Sequence, residues 1–331
     1  MRSPPLLPWI ACLAACGKAP AVPGGDDGDD DAGADAPPAV DAPPEAEPCG
    51  DRGGERGLTR REVTVGGVRR TYLVYLPPGA PTAAPLPLVF VFHGYTMSGQ
   101  KMVDATRYTA LADDEGIALV FPDGQGGPDS LDAPWNVGAG VCPSFGGPPP
   151  IATGDDLAFL DAIKADVAAD QCIDRAHVFA TGFSMGGYMT HHLACTRADF
   201  AGAAPHSGGT HDLAGCDARP VPILILHGAA DPVIPAGCDD PRALGVLGTT
   251  PSAEAWAAHN GCSSTTTTRI VQGGTCLHYV GCPDKGQVEV CTFTAMGHCW
   301  AGGPASAQPY ACPGYASSTA LSWEFWKTYA W

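Results

Sequence analysis

The sequence predicts an α/β fold, a mostly parallel central sheet with an antiparallel N-terminal hairpin and helices on both faces. Three observations carry this. Apolar runs such as Leu88-Val89-Phe90-Val91-Phe92 do not alternate with polar residues, as expected of strands covered on both sides. Helix-like segments separate these runs, the pattern of a sheet layered between helices. The first two strand-like segments, residues 62–65 and 71–76, instead flank Gly66-Gly67, a pair suited to the positive φ angles of a hairpin turn.

In chain order, the hairpin is followed by expected strands at 88–92, 118–121, 177–180, 201–204, 223–226 and 288–293. Expected helices occupy 103–115, 155–170, 185–196, 252–260 and 317–329. Asp155-Asp156 opens the second of these, where acidic side chains satisfy free N–H groups and complement the helix dipole. With 331 residues and 45% apolar content, the chain can bury one sizeable core or two small ones, and the globular domain is placed at residues 49–331. There is no internal repeat, and no run of about twenty apolar residues would cross a bilayer.

The preceding region has a different character. Met1-Arg2, the apolar stretch at 6–15 and Leu13-Ala14-Ala15-Cys16 resemble a bacterial lipoprotein signal over residues 1–15, with Cys16 as the lipidated residue. An ordinary secretory signal cleaved nearby is the alternative. Residues 16–48 then read as a disordered acidic Ala/Pro/Asp/Gly linker: nine acidic side chains accompany the single Lys18, and no aromatic residue offsets the entropy cost of ordering. A formal charge of −17 leaves no basic face for nucleic acid. Fourteen cysteines without zinc-type CxxC pairs point to an oxidising compartment, outside the cell or on a bacterial outer membrane. If Cys12 leaves with the signal and Cys16 carries lipid, the twelve from Cys49 to Cys312 allow six disulfides. Cys276 and Cys282 bracket a short segment, Cys299 and Cys312 could close another, and Cys195, in an expected buried helix, is the first candidate to stay reduced.

Gly182-Phe183-Ser184-Met185-Gly186 stands between an expected strand and an expected helix, the setting in which a GxSxG sequence forms the nucleophile elbow of an α/β-hydrolase fold. A serine hydroxyl is a weak nucleophile until a base takes its proton and a carboxylate orients that base, in the chain order serine, acid, histidine. Asp231, in His227-Gly228-Ala229-Ala230-Asp231 beyond the strand at 223–226, is the expected acid, while Asp239, Asp240 and Asp284 read as solvated charge. His298 follows the strand at 288–293 and is the expected base. The other later histidines, His259 and His278, read as structural or surface residues, as do His191, His192, His206 and His211. Two N–H groups should hold the oxyanion, those of Met185 and of Tyr95 in His93-Gly94-Tyr95, with His93 a structural hydrogen-bonder. Trp135-Asn136 either lines the substrate cleft or packs within its own loop, and Trp300 is a further cleft candidate. No metal or organic cofactor is implied, and a monomer is expected.

These segments resemble the esterase family that groups polyhydroxybutyrate depolymerases with feruloyl and acetylxylan esterases. The resemblance covers about residues 57 to 331 and rests on Arg70-Thr71-Tyr72-Leu73-Val74-Tyr75-Leu76-Pro77, His93-Gly94, Trp135-Asn136, the segment at 155–160, Cys172-Ile173-Asp174, 181–187, 227–231, Asn260-Gly261-Cys262 and Gly297-His298. It implies a secreted serine esterase working through an acyl-enzyme, closest to feruloyl esterases that act on plant cell-wall polysaccharide. A short-chain polyester depolymerase is the alternative, and a lipid-anchored binding protein that has lost catalysis is the rival from another class. Depolymerases of solid polyester commonly carry an added binding domain, and here the chain ends about where the catalytic domain should. Many relatives follow the histidine with Thr-Trp-Pro-Gly; this chain has Cys299-Trp300-Ala301-Gly302, and the added cysteine is placed to brace the loop by a disulfide.

Overall fold

The computed structural model describes residues 49–331 apart from 51, 82–83, 139, 143–149, 217–218 and 239–244. The expected signal at 1–15, the linker at 16–48, Cys16, Asp239 and Asp240 lie outside the described residues.

The hairpin forms from β1 (Gly57–Val65) and β2 (Val68–Leu76), paired antiparallel with Val65 opposite Val68, so that Gly66 and Gly67 make the whole turn at positive φ. The sheet continues with β3 (Leu86–Phe92), β4 (Ala118–Pro122), β5 (Ile173–Phe183), β6 (Gly202–His206), β7 (Ile223–Gly228), β8 (Thr266–Val271), β9 (Gly274–Tyr279) and β10 (Val288–Phe293). The spatial order is β1-β2-β4-β3-β5-β6-β7-β10-β9-β8, with the run from β4 to β10 parallel and antiparallel strands at both edges.

Helices α1 (Gly99–Thr106), α2 (Tyr108–Glu115), α3 (Asp156–Asp170), α4 (Met185–Thr196), α5 (Thr249–His259) and α6 (Ser318–Tyr329) cover the two faces. Strand alternation decides which face each side chain joins. Phe90 and Phe92 of β3 pack with Phe159 and Ile163 of α3 and Met189 of α4, whereas Val89 and Val91 pack with Met102 of α1, Tyr108 of α2 and Trp326 of α6. A third cluster joins Ile223 and Ile225 of β7 to Trp256 of α5. Each such large apolar side chain, once buried, contributes about 1.5–3 kcal/mol. Asp155 caps α3 by accepting from the Ala158 N–H at 2.9 Å. Its neighbour Asp156 is buried, pairs with Arg70 at 2.7 Å and accepts from the Asn136 N–H at 2.6 Å, tying α3 to the hairpin and to the loop before it.

The structure corrects three expectations. The helix expected at 103–115 is two helices, broken at Arg107 with φ 60°, because the Thr106 carbonyl is taken by the Thr319 hydroxyl of α6 and the fully buried Tyr108 ring turns toward Trp300. The β8–β9 hairpin was not expected, since its exposed Thr-rich strand shows no apolar run. Cys195 is not free: it is bonded to Cys216. The remaining pairs are Cys49–Cys172, Cys142–Cys238, Cys262–Cys282, Cys276–Cys291 and Cys299–Cys312, so Cys276 and Cys282 each bond outside the segment they bracket. Cys276 and Cys291 stand directly opposite each other in the β9–β10 ladder. The bond at Cys299 closes a short parallel ribbon, β11 (Trp300–Ala301) with β12 (Ala311–Cys312).

From β3 the chain runs outward to β4 and then returns past β3 to β5. Strand order therefore reverses between β3 and β5, and a crevice opens at their C-terminal ends, where ligands bind in sheets of this type.

Candidate active site

At this crevice β5 passes into α4 through Ser184, held at φ 58° and ψ −118°. Its N–H donates to the His206 carbonyl at the tip of β6 (2.9 Å), and its own carbonyl accepts from the Gly187 N–H (2.8 Å) in the first turn of α4. A non-glycine residue in such a conformation costs on the order of 1–3 kcal/mol and persists only where its surroundings enforce it. Close backbone packing does so here. A Cβ on Gly186 would lie 2.3 Å from the Phe92 carbonyl oxygen, and one on Gly182 would lie 2.4 Å from the Gly186 carbonyl oxygen. Gly186→Ala must push β3 and α4 apart, and roughly 1–3 kcal/mol of stability should be lost. Denaturant melts measure that loss, and activity per folded molecule should fall as well; unchanged melting would show that the packing is looser than described.

The Asp231 carboxylate hangs from the turn after β7 and is fully buried. Its Oδ1 accepts from the N–H groups of Val233 (2.8 Å) and Ile234 (2.9 Å). Its Oδ2 faces His298 Nδ1 at 2.7 Å, with His227 Nε2 at 3.6 Å. Burial works to raise the Asp231 pKa, but the hydrogen bond and charge of His298, the Ile234 N–H and His227 together hold it below the ordinary aspartate value. His227 Nε2 also lies 2.9 Å from the Ile234 carbonyl, which makes Nε2 its protonated nitrogen and closes the 227–234 loop around the carboxylate. The His298 ring rests on Phe183, the residue before the serine, with centroids 4.6 Å apart.

Ser184 and His298 line one cleft of about 660 Å³. Gly94 and Tyr95 enter it from the loop after β3, and a Cβ on Gly94 would come within 3.1 Å of the Ser184 Cβ. The Met185 N–H is the first of α4 and has no acceptor in its own helix. The Tyr95 N–H donates to no acceptor among the described residues. His93 braces this loop from below. Its Nδ1 bonds the Gly94 carbonyl (2.7 Å), its Nε2 accepts from the Gly124 N–H (2.8 Å), and Trp135 Nε1 donates to its carbonyl (2.8 Å). Burial lowers the His93 pKa, so it stays a neutral strut rather than a proton carrier.

Comparison with known proteins begins with NocK of Nocardia uniformis subsp. tsuyamanensis, named as an esterase. It is 31% identical over 275 residues, which cover 76% of this chain and 76% of that protein. The family described as esterase PHB depolymerase matches residues 70–234, a span that holds Tyr95, Ser184 and Asp231 and stops short of His298. The chain belongs to this esterase family. Feruloyl esterase C of Emericella nidulans is 32% identical over 203 residues, 59% of this chain and 64% of that protein. Feruloyl esterase B of Piromyces equi is 28% identical over 242 residues, 69% of this chain and 42% of that protein. The chain thus spans less than two thirds of the length of either feruloyl esterase. In fold it is similar to an acetyl xylan esterase from Aspergillus awamori, with a TM-score of 0.53 at 17% identity, covering 72% of this chain and 94% of that one.

In this member of the family, the residues expected to line the cleft are not those that do. Trp135 is fully buried against Phe92 and His93, and Asn136 opens onto a separate depression beside α3. Trp300 is buried too, stacked on His206 (4.8 Å) and donating to Thr319 Oγ1 (3.1 Å). All three large or amide side chains found partners in the scaffold. The cleft walls come instead from Met97, Tyr188, Val233, Ile234 and Tyr310, with Cys142 and the Cys299–Cys312 pair. Only the cysteine after His298 hinted at this, because a disulfide beside the histidine must border its cleft. The others sit in loops whose path sequence pattern does not reveal. Among the remaining histidines, His206 is buried under Trp300, His191 accepts from Trp256 Nε1 (3.0 Å), and His278 lies 3.4 Å from Glu289, all away from the cleft.

Proposed function

We propose that this protein is a carboxylic-ester hydrolase that works through an acyl-enzyme on Ser184, with His298 as general base and acid and Asp231 as its orienting carboxylate. The observation that carries this reading is the His298–Asp231 contact of 2.7 Å, set in the same cleft as a serine held at positive φ. His298 Nε2 takes the Ser184 proton as Oγ attacks the ester carbonyl. The oxyanion that forms is held by the Met185 and Tyr95 N–H groups, each such donor accounting for about 10²–10³ in rate. His298 then protonates the departing alcohol. Water, deprotonated by His298 in turn, attacks the acyl group and releases the acid and free Ser184. Asp231 holds the imidazole with Nδ1 protonated and steadies its positive charge without taking the proton.

For the substrate, the feruloyl esterase relatives and the shape of the cleft favour a hydroxycinnamoyl ester on plant cell-wall polysaccharide. An acetyl group would leave most of an apolar cleft of about 660 Å³ empty. The family match favours a second reading, a short-chain polyester such as polyhydroxybutyrate. The six disulfides among the described residues fit work in an oxidising compartment outside the cytosol. The test is a panel of methyl ferulate, acetylated xylan, short 4-nitrophenyl esters and polyhydroxybutyrate. Highest kcat/KM on methyl ferulate is expected; turnover of polyhydroxybutyrate alone would move the assignment to the second reading, and no turnover of any would end the hydrolase reading.

A further inference from the structure

The cleft lies where two of the three hydrophobic clusters on the sheet meet, and each supplies one wall. Tyr188, Val141 and Ile234 belong to the cluster under α3 and α4; Met97, Phe183 and Tyr310 belong to the cluster under α1, α2 and α6. His298 belongs with the second wall. It rests on Phe183, and the next residue, Cys299, is bonded to Cys312 across the ribbon that carries Tyr310. The Tyr310 backbone is fixed on both sides, its carbonyl accepting from the Trp300 N–H (2.8 Å) and its N–H donating to the Ala307 carbonyl (3.0 Å). Phe183 is buried, whereas Tyr310 is half-buried and keeps part of its surface toward solvent, with Lys101 Nζ 5.9 Å from its ring centroid.

The chemistry proposed above gives the two walls different tasks. The atom that receives a proton from His298 in the first step is the alcohol oxygen of the ester, and it must stand within hydrogen-bond reach of the imidazole. The alcohol therefore leaves along the wall that carries His298, and the acyl group lies toward the wall of Tyr188 and Ile234. We propose that Tyr310 is a specificity-determining residue for the leaving alcohol, its ring a platform for the C–H face of a cyclic polyol such as a pentose. A tyrosine suits this task, since its apolar face covers C–H groups while its hydroxyl stays wet. Tyr310 touches the alcohol alone, so it acts on formation of the acyl-enzyme and not on its hydrolysis.

This inference rests on the acyl-enzyme reading, and its test separates the two. Wild type, Tyr310→Ala, Tyr310→Phe and Ser184→Ala are assayed on two esters of one acid, methyl ferulate and the 5-O-ferulate of methyl arabinofuranoside. The measure is the ratio of kcat/KM on the sugar ester to that on the methyl ester. Tyr310→Ala should lower this ratio about tenfold, the loss of one ring-to-sugar contact, and Tyr310→Phe should preserve it. The rate after the burst with 4-nitrophenyl ferulate, which reports hydrolysis of the shared acyl-enzyme, should fall by much less than the ratio does. Inhibition by methyl arabinofuranoside should weaken in Tyr310→Ala while inhibition by ferulate holds. An equal drop on both esters would show that Tyr310 only braces the His298 loop, and an unchanged ratio would remove the platform; either overturns the proposal. Full activity in Ser184→Ala would instead overturn the acyl-enzyme reading. If Tyr310→Ala does not fold, Tyr310→Leu, which keeps apolar bulk without the ring, gives the same comparison.

Discussion

Ser184→Ala should lower kcat on any accepted ester by about 10⁴-fold or more, because in the proposed mechanism the nucleophile, its base and the carboxylate act as one unit and losing the first idles the others. The activity that persists should come from the oxyanion donors and from binding, and KM should move little. Stability should not fall with activity. Ser184 sits at φ 58°, its hydroxyl is a partner in no hydrogen bond among the described residues, and its elbow is enforced by backbone contacts around Gly182 and Gly186 that alanine leaves untouched. Ser184→Gly should even melt slightly higher, since glycine adopts positive φ without strain. Steady-state rates beside thermal melts check both halves. A Ser184→Ala protein that hydrolyses esters at the wild-type rate would sink the mechanism.

Asp231→Asn should cost nearly as much, on the order of 10⁴ in kcat, for a reason visible in the hydrogen bonds. Oδ1 is fixed by two backbone N–H groups, from Val233 and Ile234, and these will hold the asparagine carbonyl oxygen in the same place. The amide NH₂ is then forced into the position of Oδ2, facing His298 Nδ1. Nδ1 must turn acceptor, the ring proton moves to Nε2, and His298 can no longer take a proton from Ser184. The fold should survive, and the pH dependence of melting supplies a second reading. Because the native pKa of Asp231 is depressed, its contribution is fully present above the ordinary aspartate value near 3.9 and is lost as pH falls through the lower native value. Asp231→Asn should therefore lessen the dependence of Tm on pH below about 4 and leave it alone near neutrality. An asparagine variant with more than a tenth of wild-type kcat would place the orienting group elsewhere.

How much of this could be read in the residues follows from how local the signal is. The run Leu88-Val89-Phe90-Val91-Phe92 announces a strand covered on both faces, and Gly66-Gly67 announces its turn, because the cause of each lies within a few residues. Ser184, Asp231 and His298 were singled out for a related reason: chain order and strand ends narrow the choices before any contact is known, and the structure sets His298 against Asp231 and puts Ser184 and His298 on one cleft. Arg107 is the opposite case. Its φ turns positive where the Thr106 hydroxyl faces the Tyr108 N–H at 3.5 Å and the Thr106 carbonyl is held by the Thr319 hydroxyl, more than two hundred residues away. Cleft walls failed to show for the same reason, since Trp135 and Trp300 look like binding aromatics until their indole N–H groups are seen to donate to His93 and Thr319. Tyr310, in a loop after a proline, carries no pattern of its own.

The disulfide linkages of Cys49 to Cys172 and of Cys142 to Cys238 overlap along the chain, spanning 123 and 96 residues. A single peptide bond severed anywhere between Cys49 and Cys238 is thus always enclosed by at least one of them. A protease that nicks this stretch produces no fragments: the molecule migrates as one species until a reductant is added, and the damage stays hidden in a molecule whose mass has changed by one water.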